Sequence, residues 1–71
     1  MEQALIGKNA GTIWTLLNGK EKEEVAKLKK ESKLSEAEFW TAIGWLSREN
    51  KLTPSKEKKG RKMVDFLALN D

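Results

Sequence analysis

Cysteine and histidine are both missing from this 71-residue chain. Without cysteine no disulfide can staple the fold and no thiolate metal site can form. Without histidine the commonest catalytic base and the commonest zinc ligand are gone. No apolar run approaches the roughly 18 residues that a membrane span needs, and Met1-Glu2-Gln3 lacks the basic start of a signal peptide. Internal repeats, low-complexity tracts and interdomain linkers are absent as well. The expectation is one cytoplasmic domain over residues 1–71, with no cofactor, no metal and no membrane partner. A chain of this size buries only about 60% of the surface it exposes when unfolded. Its stability must come from packing, helix caps and any partner chain.

Catalysis is not expected either. A nucleophile would have to be Ser, Thr or Lys activated by a neighbouring base, and Ser35 reads better as a helix cap. Glu36 and Glu38 stand two apart, so a helix points them in different directions. Gly7 and Gly11 lack the flanking strand and the Lys-Ser/Thr pair of a phosphate loop.

What the chain does have is charge, 14 basic against 11 acidic side chains for a net +3. Residues 1–34 hold seven basic and five acidic groups, residues 35–50 one and three, and residues 51–71 six and three. Lys56 to Lys62 alone carries five basic groups against Glu57. Positive charge therefore gathers near the C-terminal end, whereas residues 35–50 are net negative. Solvation of a small domain would also account for many of these charges.

Ile6, Ala10, Ile13 and Leu17 recur at helical spacing, which predicts a helix over about 5–18 closed by Asn18-Gly19. Lys20 to Glu24 could hold a short extended segment that pairs with a later hairpin. A second helix is read over about Glu23–Ser32 with Val25 and Leu28 inward, and Leu34 plugs the corner after it. Ser35 and Glu38 form a capping box, followed by the stripe Phe39, Ala42, Ile43 and Leu46. Ala37, Thr41, Gly44 and Arg48 fall on the opposite face of that third helix, with Trp40 and Trp45 on its flanks. Leu52-Thr53-Pro54 reads as an edge strand, Glu57 to Gly60 as a turn, and Arg61 to Leu69 as the return strand. Its expected buried face is Val64, Phe66 and Ala68, with Leu67 or Leu69 covered elsewhere.

Helix, helix, short turn, helix and basic hairpin together resemble the winged helix-turn-helix family, an α+β fold that is mainly α. Ile6-Gly7, Ala10-Gly11 with Ile13-Trp14, Leu34-Ser35 and Ala42-Ile43-Gly44-Trp45-Leu46 resemble, more narrowly, a small bacterial single-domain subfamily of unassigned function. The resemblance implies DNA as a partner and a role in transcription regulation. In DNA-binding relatives the third helix enters the major groove and the wing meets the backbone or minor groove. Carried over by position, this implies Ser35, Thr41 and Arg48 on the recognition helix. On the wing it implies Lys56, Lys58, Lys59, Arg61 and Lys62, and Lys33 in the preceding turn joins the same surface.

Two departures stand out. Lys29 and Lys33 occupy turn positions where many helix-turn-helix motifs prefer Ala and Gly, and Lys33 at the tight corner carries strain if its backbone must go left-handed. The presumed recognition helix also carries Glu36 and Glu38 at the end that approaches DNA, where carboxylates repel phosphates. Capping explains both glutamates, and a glutamate can also accept from cytosine N4. The rival reading is a protein-interaction or homodimer surface built from Ala37, Trp40, Gly44 and Trp45, because exposed tryptophan marks binding hot spots. Gly44 would let a partner backbone come close.

Overall fold

The computed structural model describes residues 2–70; Met1 and Asp71, the two ends of the expected domain, lie outside the described residues. Three helices, α1 (Gln3–Leu17), α2 (Val25–Ser32) and α3 (Glu36–Arg48), and three strands, β1 (Glu23–Glu24), β2 (Leu52–Lys59) and β3 (Lys62–Leu69), follow in the order α1-β1-α2-α3-β2-β3. The strands form one antiparallel sheet in the order β1-β3-β2. This is the mainly α winged arrangement expected, with one short strand more than a hairpin.

Each helix contributes most of the apolar stripe its spacing predicts, with Ile6, Val25 and Ile43 only half-buried. Ala10, Ile13 and Leu17 of α1, Leu28 of α2, and Phe39, Ala42 and Leu46 of α3 are withdrawn from water, joined by Leu52 and Leu67 of the sheet. The side chains of Phe39, Ile13, Leu17 and Leu28 are fully buried. Every helix thus places at least one of them at the centre.

Local chemistry fixes the joints between helices. After α1, Gly19 takes φ 84, open to a residue without Cβ. The second helix starts two residues later than its charge pattern suggests, because Glu23 and Glu24 pair with Leu67 and Phe66 of β3. Glu23 is buried yet charged. Lys20 lies 3.0 Å away and Lys27 3.6 Å, and the hydrogen bond from Lys20 holds the Glu23 pKa below the ordinary carboxylate value.

At the end of α2, Lys33 adopts the left-handed conformation at φ 60, a strain of roughly 1 kcal/mol for a residue with Cβ. The buried Ser32 braces this corner. Its hydroxyl donates to the Lys29 carbonyl at 2.7 Å and accepts from the Leu34 N–H at 3.2 Å. The capping box then opens α3: the Glu38 N–H donates to Ser35 Oγ at 3.2 Å, and the Ser35 N–H donates to Glu38 Oε1 at 3.0 Å.

The hairpin differs from the sequence reading in two ways. Lys59 pairs with Lys62, so the loop is only Gly60-Arg61 and both strands run to the tip. Gly60 takes φ 62 while Arg61 stays negative, the arrangement of a type II′ turn with glycine first. The buried face is also the other one. Leu67 and Leu69 with Leu52 join the helical core, and strand alternation sends Val64, Phe66 and Ala68 to the opposite side. Phe66 is nevertheless only 7% exposed. Lys22 and Lys59 place their ammonium groups 5.0 and 5.3 Å from its ring centre and cover it with their stems. Pro54 lies on the outer strand opposite Leu67. Alternation from the Lys59–Lys62 pair turns its missing donor away from β3, where no ladder bond is lost.

Two outcomes follow. Leu28→Ala should lower the unfolding free energy by about 2–5 kcal/mol in urea titrations, and a loss under about 1 kcal/mol would contradict a core centred on Leu28. The second concerns Glu38, whose pKa is lowered, first of all by the backbone hydrogen bond from Ser35. A folded value below the unfolded one stabilises above the unfolded pKa, and that gain is lost as pH falls through the folded pKa. The stability gap between wild type and Glu38→Gln should therefore be open at neutral pH and close in acid; a gap that ignores pH would refute the charged cap.

Candidate nucleic-acid interface

The start of α3 carries carboxylates where a phosphate backbone would approach, and both are already engaged within the molecule. Glu38 is held by the capping box. Glu36 forms an ion pair with Lys29 of α2 and accepts from Trp40 Nε1 at 2.8 Å. The local negative charge is therefore partly balanced by α2 rather than presented bare.

The other α3 candidates share the outer face their spacing predicts. Ala37, Gly44 and Arg48 are exposed and Thr41 is half-buried. Two hydroxyls are partly used by the helix itself: Ser35 Oγ accepts from Glu38, and Thr41 Oγ1 donates to the Ala37 carbonyl. Arg48, in the last turn, has no ion-pair partner among the described residues. Lys33 projects from the left-handed corner and is exposed.

The wing residues do not share one face. Residues opposite each other in an antiparallel pair point to the same side. Lys56 and Lys58, opposite Asp65 and Met63, therefore lie on the side of the sheet that holds Leu67. Lys59 and Lys62, opposite each other, lie on the reverse side, and Arg61 sits in the turn between the two sets. Lys56 reaches Asp65 at 3.8 Å and Lys59 lies over Phe66. Among the described residues Lys58, Arg61 and Lys62 carry neither an ion pair nor a ring contact.

Of the rival set, Ala37, Trp40 and Gly44 are exposed and lie on one side of α3 at helical spacing, and Trp45 stands apart from them. Trp45 is half-buried and packs against the core, whereas Trp40, on the other flank, is 49% exposed. Trp40 stands edge-on to Phe39 with ring centres 5.0 Å apart, so its plane is fixed from both ends by Phe39 and Glu36.

Over residues 1–65 the chain matches the family described as a winged helix-turn-helix domain (DUF2582). It belongs to that family. The match runs from the start of α1 to Asp65 of β3, so the three helices and the wing tip of this winged helix all fall inside it. The solution NMR structure of protein BT2368 from Bacteroides thetaiotaomicron is similar in fold, with 30% sequence identity and a TM-score of 0.67 over 97% of this chain and 79% of that one. No curated protein matches. Among the described residues no helix is long and apolar enough to cross a membrane, and no group of three acidic side chains could hold a metal ion.

Sequence reasoning missed the Lys29–Glu36 pair, because its partners sit on different helices. It also missed the lysine cover on Phe66, which depends on which strand face the core takes. Gly44 is a third point of interest. A Cβ built there meets nothing within 4 Å, so no contact inside the winged helix requires a glycine. Gly44→Ala should raise stability by about 1 kcal/mol, read from urea midpoints; destabilisation would mean that the position is crowded.

Proposed function

We propose that this winged helix binds duplex DNA mainly through electrostatic contacts of its wing, with little sequence preference, as a cytoplasmic accessory to transcription. The observation that carries this reading is the set of free cations at the hairpin tip, Lys58, Arg61 and Lys62, spread over both faces and the turn. Cations placed on both sides of a narrow hairpin suit a wing that lies along a groove between two phosphate strands. Each phosphate neutralised releases counterions and adds salt dependence.

The start of α3 would lie beside the duplex, with Lys33, Ser35, Thr41 and Arg48 toward it and Lys56 and Lys59 adding charge at the wing. Internal pairing of Glu36 and capping by Glu38 lessen the repulsion that two free carboxylates would bring. The face offers few free base readers, Ala37, Thr41 and Gly44 being small or internally bonded, which suits binding that tolerates sequence. The reading takes residues 1–71 as one domain without catalytic activity, and a regulatory signal would then come through a partner. A protein partner on α3, the rival reading, is favoured by one observation, the half-exposed Trp40.

Fluorescence-anisotropy titration of a mixed-sequence duplex at two salt concentrations tests the wing. Wild type should bind with Kd below about 10 μM at low salt and weaken steeply as salt rises. The triple variant Lys58→Gln, Arg61→Gln, Lys62→Gln should bind more weakly with a salt slope lower by up to about three contacts. An unchanged slope would remove the wing from the interface.

A further inference from the structure

Three adjoining concavities that share lining residues make up a trough, the first two between α3, the start of α2 and the hairpin and the third along α2 and the corner after it. Its first part, a cavity of about 470 Å³, has an apolar wall of Val25, Trp40, Ile43, Pro54 and Leu67. The second, about 380 Å³, shares Val25, Trp40 and Asp65 with the first and adds Met63, Ala26 and Lys29. The third, about 430 Å³, shares Ala26 and Lys29 and ends on Lys30, Lys33 and Leu34. Volumes of this size are typical of ligand sites. Trp40 stands between the first two parts, and Met63, 60% exposed, is the most open large apolar side chain of the sheet.

An unpaired sheet edge borders the trough at its middle. β1 covers β3 only at Phe66 and Leu67, so no described strand lies beside Lys62 to Asp65 on that side. Backbone donors and acceptors at such an edge are available to an added extended segment.

The charges choose the occupant. The lysine end of the trough is lined by Lys29, Lys30 and Lys33; Lys29 is paired with Glu36, which leaves Lys30 and Lys33 to attract negative charge there. Along the rest of the trough stand Glu24 and Asp65, with Lys56 3.8 Å from Asp65 as the one other cation. A nucleic-acid strand would carry a phosphate past each of these carboxylates. A peptide needs negative charge at one end only, and its side chains suit the apolar wall.

We propose that this trough docks an extended peptide segment of another protein, apolar where it meets Trp40 and Met63 and acidic where it reaches Lys30 and Lys33. The proposal does not rest on DNA binding. Trp40 supplies the rigid aromatic anchor that dominates small interfaces, held in place by Phe39 and Glu36, and the open β3 edge supplies main-chain hydrogen bonds.

The test is selection of a random-peptide phage library on the immobilised full chain, followed by anisotropy with the enriched peptides. Enriched sequences should pair apolar residues with Asp or Glu on one side. Trp40→Ala should weaken the peptide about tenfold or more, and Lys30→Glu with Lys33→Glu should do the same. Circular-dichroism melts check that these exposed positions leave the fold intact, the duplex titration of Trp40→Ala and of Lys30→Glu alone checks that the wing still binds, and Trp40→Phe should retain part of the affinity. Failure to enrich any sequence, a basic consensus, or binding that ignores both variants would overturn the proposal. Trp40-dependent binding of oligothymidylate without enrichment of an acidic peptide would overturn it in favour of single-stranded nucleic acid.

Discussion

Burial of Leu67 against the three helices sets the surface of this domain as firmly as its interior. A strand alternates its side chains, so once Leu67 joins Ile13, Leu17, Leu28 and Phe39 in the core, Leu69, Asp65 and Met63 must share its face. Their partners Leu52, Lys56 and Lys58 follow across the ladder. Phe66 is left on the reverse side, where two lysines shield it. A slip of one residue would exchange Leu67 for Phe66, expose three leucines and move every wing cation to the other side. The same alternation that closes a small core therefore divides the basic residues between the trough and the back of the wing.

Charge is handled by pairing across elements. Glu23 on β1, Glu36 on α3, Glu57 on β2 and Asp65 on β3 each have a lysine partner, so the acidic groups closest to the functional surfaces are balanced from neighbouring segments. Exposed pairs of this kind contribute little stability, about 0–1 kcal/mol each. Their consequence is for the field outside the molecule: of the cations left over, Lys58, Arg61 and Lys62 gather at the hairpin tip and Lys30 and Lys33 at the end of α2. Those two clusters face different surroundings, the tip standing in open solvent and the α2 lysines closing an apolar trough.

Much of the architecture was legible in the sequence because it is local. The capping box at Ser35 and Glu38 and the stripe Phe39, Ala42, Ile43 and Leu46 depend only on spacing along one helix, and the structure places them as read except that Ile43 is only half-buried at the edge of the core. A short extended segment within Lys20 to Glu24 was one option, realised at Glu23–Glu24, and a left-handed Lys33 followed only if the helix-turn-helix corner demanded it. Features that depend on distant partners were not legible. Lys58 and Lys59 looked like turn residues, yet both sit in paired strand because Gly60-Arg61 makes the reversal alone. The return strand offered apolar residues on both faces, Phe66 and Val64 against Leu67 and Leu69, and only the helical core decides between them. Trp40 and Trp45 looked equivalent on the helix wheel, but α3 meets the core on one flank and a groove on the other. The candidate wing residues could be named from charge, whereas their division between two faces required the register.

The wing is where the functional account is most exposed to test, and amide chemical shifts read it residue by residue. In a titration of the isotope-labelled chain with mixed-sequence duplex DNA at low salt, shifts should concentrate at Lys58 to Lys62 and at the Lys33–Glu38 start of α3. The Trp40 indole N–H, engaged with Glu36 on the flank of α3 that faces the trough, should barely move. Shifts confined to Trp40 and its trough, or a hairpin tip that stays still while DNA binds, would contradict a wing-led interface.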